Sequence, residues 1–266
     1  MLSKLLKHEF RATGRILLPV YLLLAASTGL FCLTMLLSEK GPDSVAMNIF
    51  RVLVIFVFVV TIIGASLITV ALMVYRFYKN YMTDEGYLMF TLPATTDQLI
   101  WSKLLVAMVW TVVTFLVIAA ALALAATTLP FLDLSGLREL LDELSPYLST
   151  GQIVLHVAEG VVSALLSSLR TFLMFYAAIA LGHSFANHKI LLSVVFYIGF
   201  SIALQTVSSF GGVYGLIAAS ESDIFSGDPE VWTHTLSAGS IVISLLLAVG
   251  FYLLTRFCLK KRLNLQ

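Results

Sequence analysis

The chain has 266 residues, of which 59% are hydrophobic and only 12% charged, with a mean hydropathy of +0.98. A soluble domain carries roughly 25% charged residues, so this composition leaves too little polar surface to face water and requires apolar surface to face lipid. The net charge of +1 offers no generally basic face for nucleic acid, and the two cysteines, Cys32 and Cys258, are expected on opposite sides of the bilayer, too far apart to bridge.

In chain order, residues 2–15 are amphipathic. Leu2, Leu5, Leu6 and Phe10 recur at helical spacing, while Lys4, Lys7, His8, Arg11 and Arg15 take most of the other face. That pattern predicts an N-terminal helix lying in the cytoplasmic interface with its basic side toward anionic headgroups. Apolar runs at 16–37, 49–75, 104–129, 153–181, 190–208 and 236–258 each reach the roughly 20 residues needed to cross about 30 Å of hydrocarbon. The first is too long for the apolar core of a signal peptide and reads as a retained span. Lipid cannot satisfy an open backbone, so the six runs must be helical.

Charge between the runs alternates. Lys4, Lys7, Arg11, Arg15, Arg76, Lys79, Lys103, Lys189, Arg256, Lys260, Lys261 and Arg262 fall at one set of ends, and Lys40, Arg51 and Arg138 at the other. The bias predicts that the first set is cytoplasmic. The expected fold is an all-α integral membrane protein, one transmembrane domain over residues 1–266, with six spans and both termini inside. Tyr21, Trp101, Tyr147 and Trp232 fall near the expected interfaces and read as belt residues.

The segment 76–103, between the second and third spans, is rich in aromatic and apolar residues. Thr83 is placed to cap a short helix over 84–91, whose first-turn acids Asp84 and Glu85 complement the helix dipole. Pro93 ends it, and Thr95 with Gln98 forms a capping box for the next helix. Tyr87, Leu88, Phe90 and Leu92 then offer an exposed apolar surface of the kind that receives a partner. On the other side, Leu134, Leu137, Leu140, Leu141 and Leu144 predict a short amphipathic helix within 130–150. Gly211 and Gly212 are expected to break the fifth span, with 213–219 forming a separate short helix.

Arg170, Glu159 and Gln205 are the intramembrane polar residues that could mark a pathway or a structural pin. Arg170 lies deep in the fourth span, where an ionised side chain costs at least about 2.5 kcal/mol and must face protein or water. It reads either as a pathway residue or as a pin between helices, held by carbonyls and by Gln205 or a serine. Glu159 is eleven residues earlier in the same run, about 16 Å away along a helix and out of reach of Arg170. His156 with Glu159 lacks the second histidine of a zinc protease motif, and His183 and His188 have no acid or cysteine beside them, so no metal is expected. Nor does any nucleophile motif appear.

The segment Asp84-Glu85-Gly86, an aromatic-rich turn, Leu92-Pro93, the triplet Ala94-Thr95-Thr96 and a helix with Lys103 near its start resembles the permease subunits of ABC-2-type ABC transporters. Ala180–Phe185 followed by Lys189, the tight loop between the fourth and fifth spans, is a second point of similarity. The resemblance implies an exporter permease in the cytoplasmic membrane of a bacterial cell, paired with a second permease copy, identical or not. It also implies a separate ABC ATPase subunit that holds ATP and Mg. The helix bearing Asp84, Glu85, Gly86, Tyr87, Leu88, Phe90 and Leu92, ended by Pro93, would be the coupling helix seated on that ATPase. The chain itself has no G-x-x-x-x-G-K-[ST] loop, so it is expected to be neither an ATPase nor any other enzyme and to bind no cofactor. Expected partners are therefore the ATPase, a second permease and lipid, with no nucleic acid. Two other readings remain: a membrane sensor or assembly protein that recruits a cytoplasmic partner through 76–103, and a stand-alone channel, for which the spans offer only scattered Ser and Thr.

Overall fold

A backbone surrounded by hydrocarbon must satisfy its own hydrogen bonds, and a helix does so within one segment. The protein's computed structural model describes residues 2–38, 44–83, 85–91, 93–128, 150–185, 187–221 and 229–261. These form seven helices: α1 (Leu2–Ser38), α2 (Val45–Met82), α3 (Glu85–Thr91), α4 (Thr96–Ala126), α5 (Thr150–Gly182), α6 (Lys189–Glu221) and α7 (Pro229–Lys261). All except α3 are long and apolar enough to cross a membrane. Large side chains such as Leu22, Phe115 and Leu246 are about two-thirds exposed (71%, 69% and 67%), which is the surface expected of a multi-pass membrane protein and not of a water-soluble one.

Two helices differ from the sequence reading. Residues 2–15 and the first apolar run form one continuous helix of 37 residues. At 1.5 Å per residue it is about 55 Å long, well beyond a 30 Å hydrocarbon core. Nothing between Arg15 and Ile16 interrupts the backbone ladder, and Pro19, inside the helix, removes only one of its bonds. Likewise α6 runs unbroken through Gly211 and Gly212 to Glu221. Two helical glycines cost about 1 kcal/mol each, less than leaving several buried amides and carbonyls unbonded. The amphipathic helix expected within 130–150, and with it Tyr147, falls outside the described residues.

The chain divides into two compact units, each described by itself. One comprises Leu2–Met73 and Leu105–Leu148. Its core is Leu24, Phe31, Val54, Phe58, Ala65, Ala121 and Ala125, with Phe31 and Phe58 stacked at 4.8 Å. Hydroxyls join its helices. Trp110 Nε1 donates to Thr13 Oγ1 at 2.7 Å, and the Tyr21 hydroxyl donates to Thr114 Oγ1 at 2.7 Å, since Thr114 directs its own proton to the Trp110 carbonyl. Tyr21 is thus buried and not a belt residue, while Trp101, in the other unit, is 41% exposed. A Cβ on Gly14 would meet the Trp110 ring at 3.4 Å, an ordinary van der Waals contact.

The other unit comprises Val74–Leu104 and Ser149–Gln266. Here α5 packs against both α6 and α7. Phe175 stacks on Tyr197 at 4.3 Å, and Phe200 meets Phe251 at 5.3 Å. At the α5–α6 turn the two backbones nearly touch: a Cβ on Gly182 would lie 2.5 Å from Ser193 N and 2.7 Å from its Cα.

Candidate functional site

The segment singled out in the sequence, from the end of α2 to the start of α4, lies wholly in the second unit. Its base is aromatic. Phe77 is fully buried and stacks on Tyr176 of α5 at 3.9 Å, and meets Tyr81 edge-on at 5.1 Å. Tyr81, also fully buried, donates its hydroxyl to the Leu99 carbonyl of α4 at 2.9 Å. Lys103, only 4% exposed, places its ammonium 5.6 Å from the centre of the Tyr81 ring, a cation–π distance. These contacts tie the last turn of α2 to the first turns of α4 from below the connecting segment.

The connection itself is a helix, a break and a second helix. Its first cap differs from the expected one. Thr83 does not cap α3 with its side chain; its hydroxyl donates back to the Lys79 carbonyl, satisfying an orphan acceptor at the end of α2. Its carbonyl instead accepts from Gly86 N at 2.7 Å. The first-turn acid Glu85 pairs with Lys79 at 3.2 Å, both half exposed. The helix stops at Thr91, before exposed Pro93. The second cap is the reciprocal box: Thr95 N donates to Gln98 Oε1 and Gln98 N donates to Thr95 Oγ1, both at 3.3 Å. Gly86 is buried. Asp84, Leu92 and the side chains of Tyr87, Leu88 and Phe90 fall outside the described residues.

Sequence reading missed the residues that anchor the far side. Asp97, in the first turn of α4, accepts from the Tyr252 hydroxyl at 2.6 Å and forms an ion pair with Arg256, whose Nε lies 2.9 Å from Oδ1. The two partners are four residues apart on α7, one face of one helix. Trp101 lies 5.9 Å from the Tyr252 ring. The only sequence signal was an i, i+4 polar pair at the end of an apolar run.

Beside the end of α2 lies the α5–α6 turn. His183 is 4% exposed, its Nδ1 hydrogen-bonded to the Ile179 carbonyl at 2.9 Å and its ring 5.5 Å from Tyr78. Burial pushes its pKa below the ordinary histidine value; the carbonyl bond opposes that, and the Lys189 charge adds to it.

The intramembrane residues do not form one cluster. Arg170 is half buried, with Nη1 3.5 Å from Ser244 Oγ of α7, a serine contact of the kind a structural pin needs. Gln205 is exposed, and no hydrogen bond joins the two among the described residues. Glu159 meets α7 at a separate level. His234 Nδ1 is 2.9 and 3.0 Å from its two oxygens, and the Ser237 hydroxyl donates to Oε2 at 2.7 Å. The His156 ring lies 4.3 Å from that of His234. Among the described residues no three His, Cys, Asp or Glu side chains form a group that could hold a metal ion. Compared with protein-family models, with curated proteins and with solved structures, the chain has no match.

Proposed function

We propose that this chain is the permease subunit of an ABC-type exporter in the cytoplasmic membrane, with both termini inside, working as a pair with a second permease copy and driven by a separate ATPase. One observation carries the reading: α3 is a short helix held on a braced base. Tyr81 bonds α4 from α2, the Thr95–Gln98 box starts α4 rigidly, and Asp97 bonds α7 through Tyr252 and Arg256. A load applied at α3 passes to α2, α4 and α7 together instead of deforming a loop, which is the property required of a lever that turns ATPase closure into helix movement.

Coexpression of the chain with its genomic neighbours, followed by affinity capture, tests this. An ABC ATPase should be recovered, and Glu85→Arg or Leu92→Ala should weaken its retention without changing the yield of the permease. The reading fails if no ATPase is recovered and neither variant alters the captured set. Recovery through the same segment of a partner without ATPase activity would favour the sensor or assembly reading.

A further inference from the structure

Between the end of α2 and the α5–α6 turn lies an open pocket of about 430 Å³. Its lining is divided by chemistry. Tyr78, His183, His188 and Lys189 supply polar side chains, of which Lys189 and His188 carry donors suited to an anion, while Met82, Ile190 and Leu191 supply hydrocarbon. Ile190 and Leu191 are 64% and 63% exposed. His188 has a φ of 55°, the only positive φ of a non-glycine residue among those described. L side chains rarely adopt that conformation, and such outliers persist where the surrounding structure imposes them. Here it turns the chain sharply into α6, so that two consecutive basic side chains line one cavity.

The position adds to the composition. Lys189 begins the apolar stretch Lys189–Ser209, and Gly182 ends the preceding one, so the pocket sits where hydrocarbon gives way to water. The same helix ends carry Arg76, Lys79, Arg256 and Lys260. Their common level follows from the Tyr81–Leu99, Tyr78–His183 and Asp97–Arg256 contacts.

We propose that this pocket binds one anionic phospholipid, its headgroup phosphate on Lys189 and His188 and its glycerol and upper acyl chains on Ile190, Leu191 and Met82. A free phosphate would use only half of the lining. Basic pockets between spans at a membrane boundary are suited to such headgroups. The inference needs the chain to lie in a membrane but is independent of any ATPase.

The test uses the full chain in detergent, titrated with phosphatidylglycerol or phosphatidylcholine and read by native mass spectrometry. Phosphatidylglycerol should be retained in preference to phosphatidylcholine. Lys189→Gln should weaken its retention about fivefold, whereas Lys260→Gln, the same charge loss at the same helix ends, should leave it unchanged. Equal losses in the two variants, equal retention of the two lipids, or displacement of phosphatidylglycerol by millimolar inorganic phosphate would each overturn the proposal. Should Lys189→Gln not fold, the wild-type chain can be irradiated with a photoreactive phosphatidylglycerol. Label is expected on peptides containing Tyr78–Met82 or His188–Leu191, and label confined to other peptides sinks the assignment.

Discussion

Gly182 carries the tightest steric constraint described in the second unit. Any side chain there drives into the backbone of Ser193, at 2.5 and 2.7 Å, and backbone cannot rotate aside. Gly182→Ala should therefore cost about 1–3 kcal/mol, read as a lower thermal midpoint in detergent; an unchanged midpoint would show that α5 and α6 do not approach this closely. The adjacent His183 makes stability depend on pH. Its folded pKa lies below the unfolded value of about 6.5, so the unfolded chain takes up the proton first. Stability is full above pH 6.5 and is lost as pH falls toward the folded pKa. Thermal midpoints between pH 8 and 5 should fall with acidification, and His183→Gln should flatten that slope. The sequence marked the Ala180–Lys189 stretch as a tight loop, but not which glycine or histidine was constrained. Glu159 teaches the same lesson. Its isolation in an apolar run was plain, while its partners His234 and Ser237 lie 75 and 78 residues away, and no local pattern encodes such a pairing.

At the scale of elements, local hydrogen-bond chemistry proved readable where both partners were close in sequence. The Thr95–Gln98 box and the stop before Pro93 are local, and both are as expected. Thr83 was misread because two orphan groups compete for one hydroxyl, and the carbonyl of Lys79 wins. The glycine pair in α6 was misread because helix propensity was weighed without the cost of exposing backbone to hydrocarbon. The brace beneath α3 depends on Tyr81. Tyr81→Phe removes its bond to the Leu99 carbonyl, which keeps the Ser102 hydroxyl as a donor at 2.7 Å, so the loss should be only about 1 kcal/mol. Amide exchange over Glu85–Thr91 should nevertheless quicken relative to the wild type. Exchange unchanged in α3 would separate the brace from the helix it is argued to hold.

For the whole molecule, the proposed transport role places the decisive coupling at Asp97. Arg256 and Asp97 are 40% and 35% exposed, so their pair contributes at most about 1 kcal/mol to stability. Asp97→Asn should thus fold normally, yet reduce permease-dependent stimulation of the partner ATPase, because α7 would no longer follow the start of α4. Full stimulation in that variant would show that load does not pass through this contact. The sequence by itself determined that the chain is helical and carries six segments able to cross a membrane. Both properties follow from one-dimensional quantities: the length of each apolar run and the demand of hydrocarbon that backbone bonds close within a segment. Tertiary structure alone decided which polar side chains meet. Asp97 finds Tyr252 and Arg256 more than 150 residues away, Tyr21 turns inward to Thr114, and His188 is bent to share a pocket with Lys189. Such pairings depend on which helix faces are brought together, and helical periodicity fixes the faces of each helix without fixing its neighbours.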